Sequence, residues 1–261
     1  MSTPHANYET DGPLATLTFD RPEARNAMTW EMYEALVDAC GRVDEDPNVR
    51  VLIIRSTGDK AFIAGTDIAQ FKDFSRRDDG VEYEKRLDEV LDRLERVAKP
   101  TIAQVQGVAA GGGCAIALSC DLRVATPAAT FGVPIARTLG NCLSAETCNR
   151  MLALMGPARF KDLMFTGRLM TAAEADACGL LSRLVEPADL ERTVRDLAAE
   201  IASRAPLTIR AIKEITRRLI AKQRLAPGED RDLIELCYTS ADFKEGVSAF
   251  LEKRPPRWTG H

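Results

Sequence analysis

A run of three glycines stands where the chain passes from one predicted element to the next. Gly111, Gly112 and Gly113 follow a predicted strand at 101–106 and precede a small-residue helix predicted at 114–119. A turn at the start of a helix leaves backbone N–H groups free and adds the positive end of the helix dipole, so it can bind an anion or a polarised carbonyl oxygen. From spacing alone, close packing of a helix on a sheet explains the glycines equally well.

A second glycine turn follows another predicted core strand, at 51–54. Gly65 permits the turn, and Asp67 can cap a short helix that continues through Ile68 and Phe71. One turn that offers a backbone N–H is a weak signal. Two such turns, each after a core strand, could form a two-donor oxyanion hole for a carbonyl that becomes an enolate.

Nucleotide-binding loops do not fit the glycine run. A P-loop requires Lys and Ser or Thr after its last glycine, and here Cys114 and Ala115 stand in that place. A dinucleotide fingerprint requires G-x-G-x-x-G with an acidic residue about 20 positions later, but the chain has Gly107-x-x-x-Gly111 and Asp121 follows too early. The sequence therefore disfavours nucleotide phosphate chemistry.

Histidine is nearly absent from the chain. His5 and His261 are the only two, and both lie at chain ends. Ser-His-Asp and Cys-His catalysis and most zinc sites require a histidine within the fold, so we expect neither those mechanisms nor a metal site. The seven cysteines never form a C-x-x-C pair, and we expect them to be reduced and mostly buried.

Composition indicates an ordinary globular protein. The chain has 261 residues, 45% of them hydrophobic, and a formal net charge of −4. A net negative charge provides no overall positive potential that would attract nucleic acid. No apolar run approaches the roughly 18 residues of a membrane span. The first residues, MSTPHANYET, lack a charged start and an apolar segment. We therefore expect a cytoplasmic protein that binds neither membrane nor nucleic acid.

Strands and helices alternate in the first part of the chain, and the last third is helical. We predict strands at 14–19, 51–54, 101–106, 121–126 and 129–133, with a glycine-rich bend at 107–113. We predict helices from Thr29 to Cys40, ended by Gly41, and from Tyr83 to Pro100, after a charged connection at 72–86. Later helices are expected at 144–155, 157–165, after the capping box Thr171-x-x-Glu174, and at 187–203, 206–222 and 229–253. This order predicts an α/β core over 1–200 and a helical region over 201–261 in one unit.

Six segments together resemble the crotonase family, the enoyl-CoA hydratase/isomerase group. They are DRPEARNAM (20–28), KAFIAGTDI (60–68), AQVQGVAAGGGCAIALSCDLRVAT (103–126), ATFGVP (129–134), FTGRLMTAAEADACGLLSRLV (165–185) and FKEGVSAFLEKRPPRW (243–258). The resemblance implies a spiral of ββα units with a C-terminal helical trimerisation region, assembled as a homotrimer or hexamer. It also implies an acyl-CoA substrate, with coenzyme A present only as part of the thioester and no permanently bound cofactor.

The resemblance also assigns site residues. It implies that the backbone amides of Thr66 and Gly112 bind the thioester carbonyl. It implies further that Arg25, Ala64, Asp67 and Ile68 line the coenzyme A path, and that Phe250 and Lys253 of the last helix lie near the bound cofactor.

Two departures from the family pattern concern proton transfer. Typical hydratases carry a glutamate directly after Gly-Gly-Gly-Cys and another directly after Phe-Gly-x-Pro, and this chain has Ala115 and Ile135 there. General acid–base groups contribute about 10²–10⁴-fold each, so an ordinary hydratase or isomerase mechanism needs another proton carrier. Thioester hydrolysis, decarboxylation and other crotonase reactions place their acid or base elsewhere, and they stay open.

Glu146 is the candidate for the replacement base. It lies at a predicted helix start that borders the acyl pocket in relatives, although a glutamate in a first helical turn also simply favours the helix dipole. Cys142 could be a nucleophile, but no histidine is present to activate it. Asp73 and Asp78 of the charged connection could supply a group if the pocket closes.

Two further classes of function are open to the sequence. One is a protein that keeps the trimer and the CoA pocket but has lost catalysis. The other is nucleic-acid binding through the predicted 206–222 helix, whose cations are Lys213, Arg217, Arg218 and Lys222. Those four side chains also fit a solvated face or a contact to CoA phosphates, and salt-sensitive retention on nucleic acid would distinguish the cases.

Overall fold

The structure is a computed structural model that describes residues 4–72 and 74–261. This part of the chain contains ten strands. They are β1 (Ala6–Asp11), β2 (Leu14–Phe19), β3 (Val51–Ser56), β4 (Ala61–Ile63), β5 (Thr101–Val105), β6 (Val108–Ala110), β7 (Leu122–Ala125), β8 (Thr130–Gly132), β9 (Met170–Thr171) and β10 (Arg183–Leu184).

The helices cover the second half of the chain more densely than the first. They are α1 (Trp30–Glu45), α2 (Asp79–Glu95), α3 (Gly112–Ser119), α4 (Ile135–Thr138), α5 (Ala145–Thr166), α6 (Ala172–Ala177), α7 (Leu190–Ala202), α8 (Pro206–Ala221), α9 (Arg231–Tyr238) and α10 (Ala241–Leu251). Short 3₁₀ helices span Pro22–Ala24, Ile68–Phe71 and Pro187–Asp189.

Consecutive strands are distributed between two sheets. The six-stranded sheet has the order β1-β2-β3-β5-β7-β10, and the four-stranded sheet has the order β4-β6-β8-β9. The pairs β3–β4, β5–β6 and β7–β8 each give one strand to each sheet, and a helix follows each pair. The strands β2, β3, β5 and β7 lie side by side in that order, and each is parallel to the next. The α/β prediction is thereby confirmed, and the strand–strand–helix repeat is the one that the resemblance implies.

The central strands of the six-stranded sheet are buried on both faces. On β3, Leu52 and Ile54 join the main core, and Val51 and Ile53 join a second cluster with Leu190 and other residues of α7. Alternate side chains of a strand point to opposite faces, so a continuous apolar run is what a doubly covered strand requires. The main core fills the space between the two sheets and α1, α2 and α3.

Three predicted boundaries in the first half of the chain are wrong. Gly41 lies inside α1, which continues to Glu45 because Val43 is buried against the core. The helix predicted from Tyr83 begins at Asp79. The prediction missed its first turn because that turn is polar and carries no apolar period. The bend predicted at 107–113 contains β6, whose three residues are too few to show a period.

Other elements differ from prediction for equally local reasons. The edge strand β1 is absent from the prediction because its residues 9–11 are polar and exposed. The helix predicted at 229–253 is two helices, and Ser240 caps the second by accepting a hydrogen bond from the Phe243 amide. The capping box of Thr171 and Glu174 is confirmed. The backbone of α5 leaves helical geometry at Gly156, between the two helices predicted at 144–155 and 157–165.

The C-terminal helices are less buried than the rest. The helix α8 buries no residue fully, and Leu207, Ile212, Ile215 and Leu219 are all at least 53% exposed. Among the described residues, no helix combines the length and apolar character needed to cross a membrane. The proposed boundary between a core over 1–200 and a helical region over 201–261 stays a prediction.

Candidate functional site

The two glycine turns meet in the structure. A Cβ placed on Gly111 would lie 3.5 Å from the Cα of Gly65, so the two turns lie close together. Both glycines have positive φ, 113° for Gly65 and 52° for Gly111. The turns are held in place by their strands, because β4 and β6 are paired in the four-stranded sheet directly before them.

The amides of Thr66 and Gly112 are free to bind a ligand. Thr66 forms a parallel bridge with Met28, in which the Met28 amide donates to Gly65 O and the Asp67 amide donates to Met28 O. This pattern leaves the N–H of Thr66 facing away from the bridge. Gly112 is the first residue of α3, where an amide has no acceptor within the helix. Within residues 4–72 and 74–261, neither amide donates a hydrogen bond.

A chain of three hydroxyls lies beside these amides. The buried Thr66 Oγ1 is 2.8 Å from the Tyr33 hydroxyl and 2.7 Å from the Tyr83 hydroxyl. A Cβ on Gly112 would lie 2.3 Å from the Tyr33 hydroxyl, so only glycine fits there. Burial raises the pKa of Tyr33 and of Tyr83, which are therefore neutral donors at physiological pH.

The two positions at which the resemblance expects glutamates are apolar and buried. Ala115 is 4% exposed on α3, and Ile135 is 8% exposed at the start of α4. The chain before each position is linked to that of the other, since the Gly111 amide, just before α3, donates to Gly132 O at the end of β8, three residues before Ile135, at 3.0 Å. Neither side chain can carry a proton.

Four of the residues expected along the coenzyme A path lie together. The Ala64 amide donates to Arg25 O at 3.1 Å, and Arg25 is exposed in the left-handed region at φ 52°. Asp67 accepts from the Ala69 amide and from Arg21 Nη1 at 2.8 Å, so its predicted capping role is confirmed. Ile68 begins the 3₁₀ helix and packs against the core.

Phe250 and Lys253 lie at the end of α10, apart from this group. Phe250 is 51% exposed, and Lys253 adopts a positive φ of 56° just after the helix. The helix itself approaches the site through Phe243, whose ring lies 6.0 Å from the ring of Phe71. In the part of the chain that the structure describes, no hydrogen bond or ion pair joins Phe250 or Lys253 to Arg25 or Ala64, and their role in binding stays a prediction.

Glu146 lies in the first turn of α5 as predicted, but beside a cation. Its Oε2 is 2.8 Å from Arg224 Nε, and its side chain is 31% exposed. It lines a charged cavity of about 450 Å³ with residues of α2 and of the segment 224–234. Thr66 and Gly112 are not among the described residues that line that cavity. Burial raises the pKa of Glu146, and Arg224 opposes this effect.

The other sequence candidates have local partners. A hydrogen bond to Cys237, together with burial, raises the pKa of Cys142, so its thiol is not activated. Asp78 forms an ion pair with Arg231, and Asp73 lies outside the described residues. Lys213 pairs with Asp121 at 2.7 Å, and Arg217 and Arg218 both pair with Glu214. Three of the four cations proposed for nucleic-acid binding therefore form ion pairs within the chain, two of them with the same carboxylate.

Sequence reasoning missed a buried acid that lines the same charged cavity as Glu146. Glu84 is 1% exposed, and its Oε1 accepts a hydrogen bond from the Tyr238 hydroxyl at 2.5 Å. The signal was present in the sequence, because Glu84 is spaced three and seven residues from Leu87 and Leu91 and so falls on the apolar stripe of α2. Tyr238, from a distant helix, carried no such signal.

Comparison with known proteins places the chain in a family. The sequence profile described as Enoyl-CoA hydratase/isomerase matches residues 9–261. The chain belongs to the enoyl-CoA hydratase/isomerase family. A crotonyl-CoA hydratase of Syntrophomonas wolfei is 36% identical over 247 residues, which cover 94% of each chain. The protein is therefore an enzyme of the enoyl-CoA hydratase/isomerase type, as the sequence predicted.

Solved structures of this family share the fold over the whole chain. An enoyl-CoA hydratase/carnitine racemase from Magnetospirillum magneticum has a TM-score of 0.80 at 30% identity, covering 100% of this chain and 97% of its own. A methylmalonyl-CoA decarboxylase in complex with 2-nitronate-propionyl-CoA has a TM-score of 0.91, also at 30% identity, covering 100% of both chains. The predicted crotonase-like fold is confirmed.

Proposed function

We propose that this enzyme binds an acyl-CoA thioester and stabilises its enolate with the backbone amides of Thr66 and Gly112. The observation that supports this most is the close approach of the two glycine turns, each of which carries an N–H donor without a partner among the described residues. Preorganised donors of this kind are worth about 2.7–4 kcal/mol each when charge develops on an oxygen. Backbone donors do not depend on the side chain of Thr66.

Binding of the coenzyme A portion is assigned to the residues that surround the turns. Arg25, Ala64, Asp67 and Ile68 would line its path, and Phe250 and Lys253 would approach from the end of α10. Coenzyme A would be present only as part of the substrate, and the enzyme would act as a homotrimer or hexamer. The proposed reaction is that of an enoyl-CoA hydratase or isomerase with a non-standard acid and base.

The test of the oxyanion hole measures the thioester carbonyl directly. We expect the infrared carbonyl stretch of crotonyl-CoA, labelled with ¹³C at the carbonyl carbon, to move to lower frequency on saturable binding, because two hydrogen bonds weaken the C=O bond. Saturable binding without a shift would contradict the proposal.

The hydration test addresses Glu146, the base that the sequence suggests. We measure loss of the conjugated thioester absorbance of crotonyl-CoA for the wild type and for Glu146→Gln. A wild-type rate above about 1 s⁻¹ that collapses in the variant would make Glu146 the base. The ion pair with Arg224 instead favours a structural role, in which case the rate stays within a few-fold.

Decarboxylation is the second candidate reaction. Loss of CO₂ produces an enolate without a base to remove a proton, which suits the apolar side chains of Ala115 and Ile135. The higher TM-score to methylmalonyl-CoA decarboxylase than to the hydratase/racemase, 0.91 against 0.80, favours it also. Release of CO₂ from methylmalonyl-CoA, with no hydration of crotonyl-CoA, would support this reaction over the first.

A further inference from the structure

Two cysteines from distant parts of the chain meet beside the C-terminal helices. Cys142 lies in the connection at 139–144 between α4 and α5, and Cys237 lies near the end of α9. The two thiols, which we call the thiol pair, form a hydrogen bond with each other. Their sequence neighbours are joined as well, since Asn141 Nδ2 donates to the Tyr238 hydroxyl at 3.0 Å. Both cysteines are partly exposed, so a small solute can reach them.

The connection that carries Cys142 also packs against α10. A Cβ on Gly246 of α10 would lie 2.4 Å from Leu139 O, and a Cβ on Gly140 would lie 3.4 Å from Asp242 O. These distances show that helix and connection are in direct contact. A covalent bond between α9 and the connection would therefore tie α9 to a segment that α10 already contacts.

Cys237 is the better nucleophile of the thiol pair. The hydrogen bond from the Cys142 thiol lowers the pKa of Cys237 because it stabilises the thiolate, although burial opposes this effect. The same hydrogen bond, together with burial, raises the pKa of Cys142, so that thiol keeps its hydrogen. Its hydrogen has a second acceptor in Leu143 O at 3.1 Å. Because peroxides oxidise the thiolate form, we expect Cys237 to react first.

Most of the other cysteines are poorer targets for oxidation. Cys40, Cys114 and Cys120 are buried, and burial raises the pKa of each to about 12. Cys148 on α5 is partly exposed, but burial and the negative charge of Glu84 raise its pKa to about 12. These four thiols are therefore protonated at physiological pH, and peroxides oxidise protonated thiols slowly.

We propose that the thiol pair is an oxidative modification site, at which hydrogen peroxide forms a disulfide that fixes α9 to the 139–144 connection. The Cys237 thiolate attacks one peroxide oxygen, the O–O bond breaks, and a sulfenic acid forms. The departing hydroxide takes up the proton that Cys237 has released. The Cys142 sulfur then attacks the Cys237 sulfur, the S–O bond breaks, and the hydroxyl leaves as water with the Cys142 hydrogen. Two thiols are thereby oxidised, and one peroxide is reduced to two waters.

Peptide mapping of the full chain tests the disulfide. The folded wild type is treated with hydrogen peroxide, the remaining thiols are alkylated, and peptides are analysed by mass spectrometry without reduction. We expect a linked pair of peptides that contains Cys142 and Cys237 and that dithiothreitol separates. The control Cys178→Ser removes another partly exposed thiol and should form the same disulfide. No substrate is needed, so the result does not depend on the proposed acyl-CoA reaction.

Two variants separate the steps of the oxidation. Cys142→Ser cannot form the bond, so the sulfenic acid of Cys237 should persist and be trapped by dimedone. Cys237→Ser lacks the thiolate, so Cys142 should remain unoxidised and be alkylated. A dimedone adduct on Cys142 in Cys237→Ser would overturn the order of attack. A link from Cys142 to Cys148 in the wild type, or an unlinked Cys237 after peroxide treatment, would overturn the site itself.

Hydrogen exchange tests whether the bond restrains α9. The helix buries two residues, Ile234 and Tyr238, so we expect it to open readily in the reduced protein. The disulfide should slow exchange of the amides at 231–238, and dithiothreitol should restore the original rate. Cys142→Ser, treated with peroxide in the same way, should show no slowing. Equal exchange in the reduced and the disulfide-bonded wild type would overturn the proposed restraint of α9.

Discussion

The hydroxyl of Thr66 bonds to two buried tyrosines, while its amide is left for a ligand. We expect Thr66→Val to lower the free energy of unfolding by about 1–3 kcal/mol, because the hydroxyls of Tyr33 and Tyr83 lose a buried partner. The carbonyl shift of bound crotonyl-CoA should persist, since the backbone is unchanged. Urea unfolding and infrared spectroscopy measure the two effects. Thr10→Val on the exposed strand β1 is the control, and loss of the shift would argue against backbone donors.

Glu84 makes stability depend on pH in a direction opposite to that of most carboxylates. Its folded pKa of about 8 lies above the ordinary value of 4.5, so the folded protein holds a proton that the unfolded chain releases between these values. The free energy of unfolding should therefore fall as pH rises through this range, by up to about 1.4 kcal/mol per unit. Glu84→Gln should remove this contribution.

The comparison of wild type and Glu84→Gln at two pH values checks this prediction. We expect the variant to gain stability relative to the wild type between pH 5 and pH 8 in urea unfolding. A difference that stays constant between these pH values would show that Glu84 titrates normally in the folded protein.

At the scale of single residues, the two glycine turns could be predicted because glycine turns after strands have a recognisable composition, and the structure brings those turns close together. The assignment of Thr66 and Gly112 as donors within them is what the resemblance implies, and it stays a prediction. Glu84 and Tyr238 were missed because their relation is tertiary, joining α2 to α9 across most of the chain. Glu84 alone is marked by its place on the apolar stripe of α2, but its partner Tyr238 is not.

Two glycines in helices offer a contrast at the scale of elements. A Cβ on Gly80 of α2 would overlap Tyr238, whereas a Cβ on Gly41 of α1 would meet nothing within 4 Å. We expect Gly41→Ala to raise the free energy of unfolding by about 0.5–1 kcal/mol through helix propensity. Gly80→Ala should lower it by about 1–3 kcal/mol, because overpacking displaces Tyr238 from Glu84. Urea unfolding measures the stability of both variants. If both substitutions stabilise the protein, the close contact between Gly80 and Tyr238 is ruled out.

Elements with strong apolar periods were predicted well, and short or polar ones were not. The continuous run of β3 predicts a doubly covered strand, and both faces of β3 are covered. The strand β6 has three residues between two glycines, so pairing with β4 and β8 rather than its own composition makes it a strand. The first turn of α2 is polar and shows no apolar period, and Asp79 accepts hydrogen bonds there from the Ser75 and Arg76 amides.

At the scale of the whole molecule, α8 presents an apolar face that this chain leaves uncovered. Leu207 is 77% exposed and Leu219 is 59% exposed. If this face joins the copies of the proposed homotrimer or hexamer, Leu219→Asp should shift the protein toward a 28.6 kDa species. Light scattering after size exclusion measures the mass, with Lys161→Glu on α5 as the control. An unchanged assembly in Leu219→Asp would exclude this face from the interface.

The order of strands in the six-stranded sheet has a consequence for synthesis of the chain. Leu14 pairs with Val51, Leu52 with Thr101, and Ile102 with Leu122, so the sheet grows in sequence order from β2 to β7. A parallel neighbour cannot pair until the connection before it has left the ribosome. The nascent protein can therefore add one strand at a time to an existing edge, and that edge stays open until β10 pairs with β7.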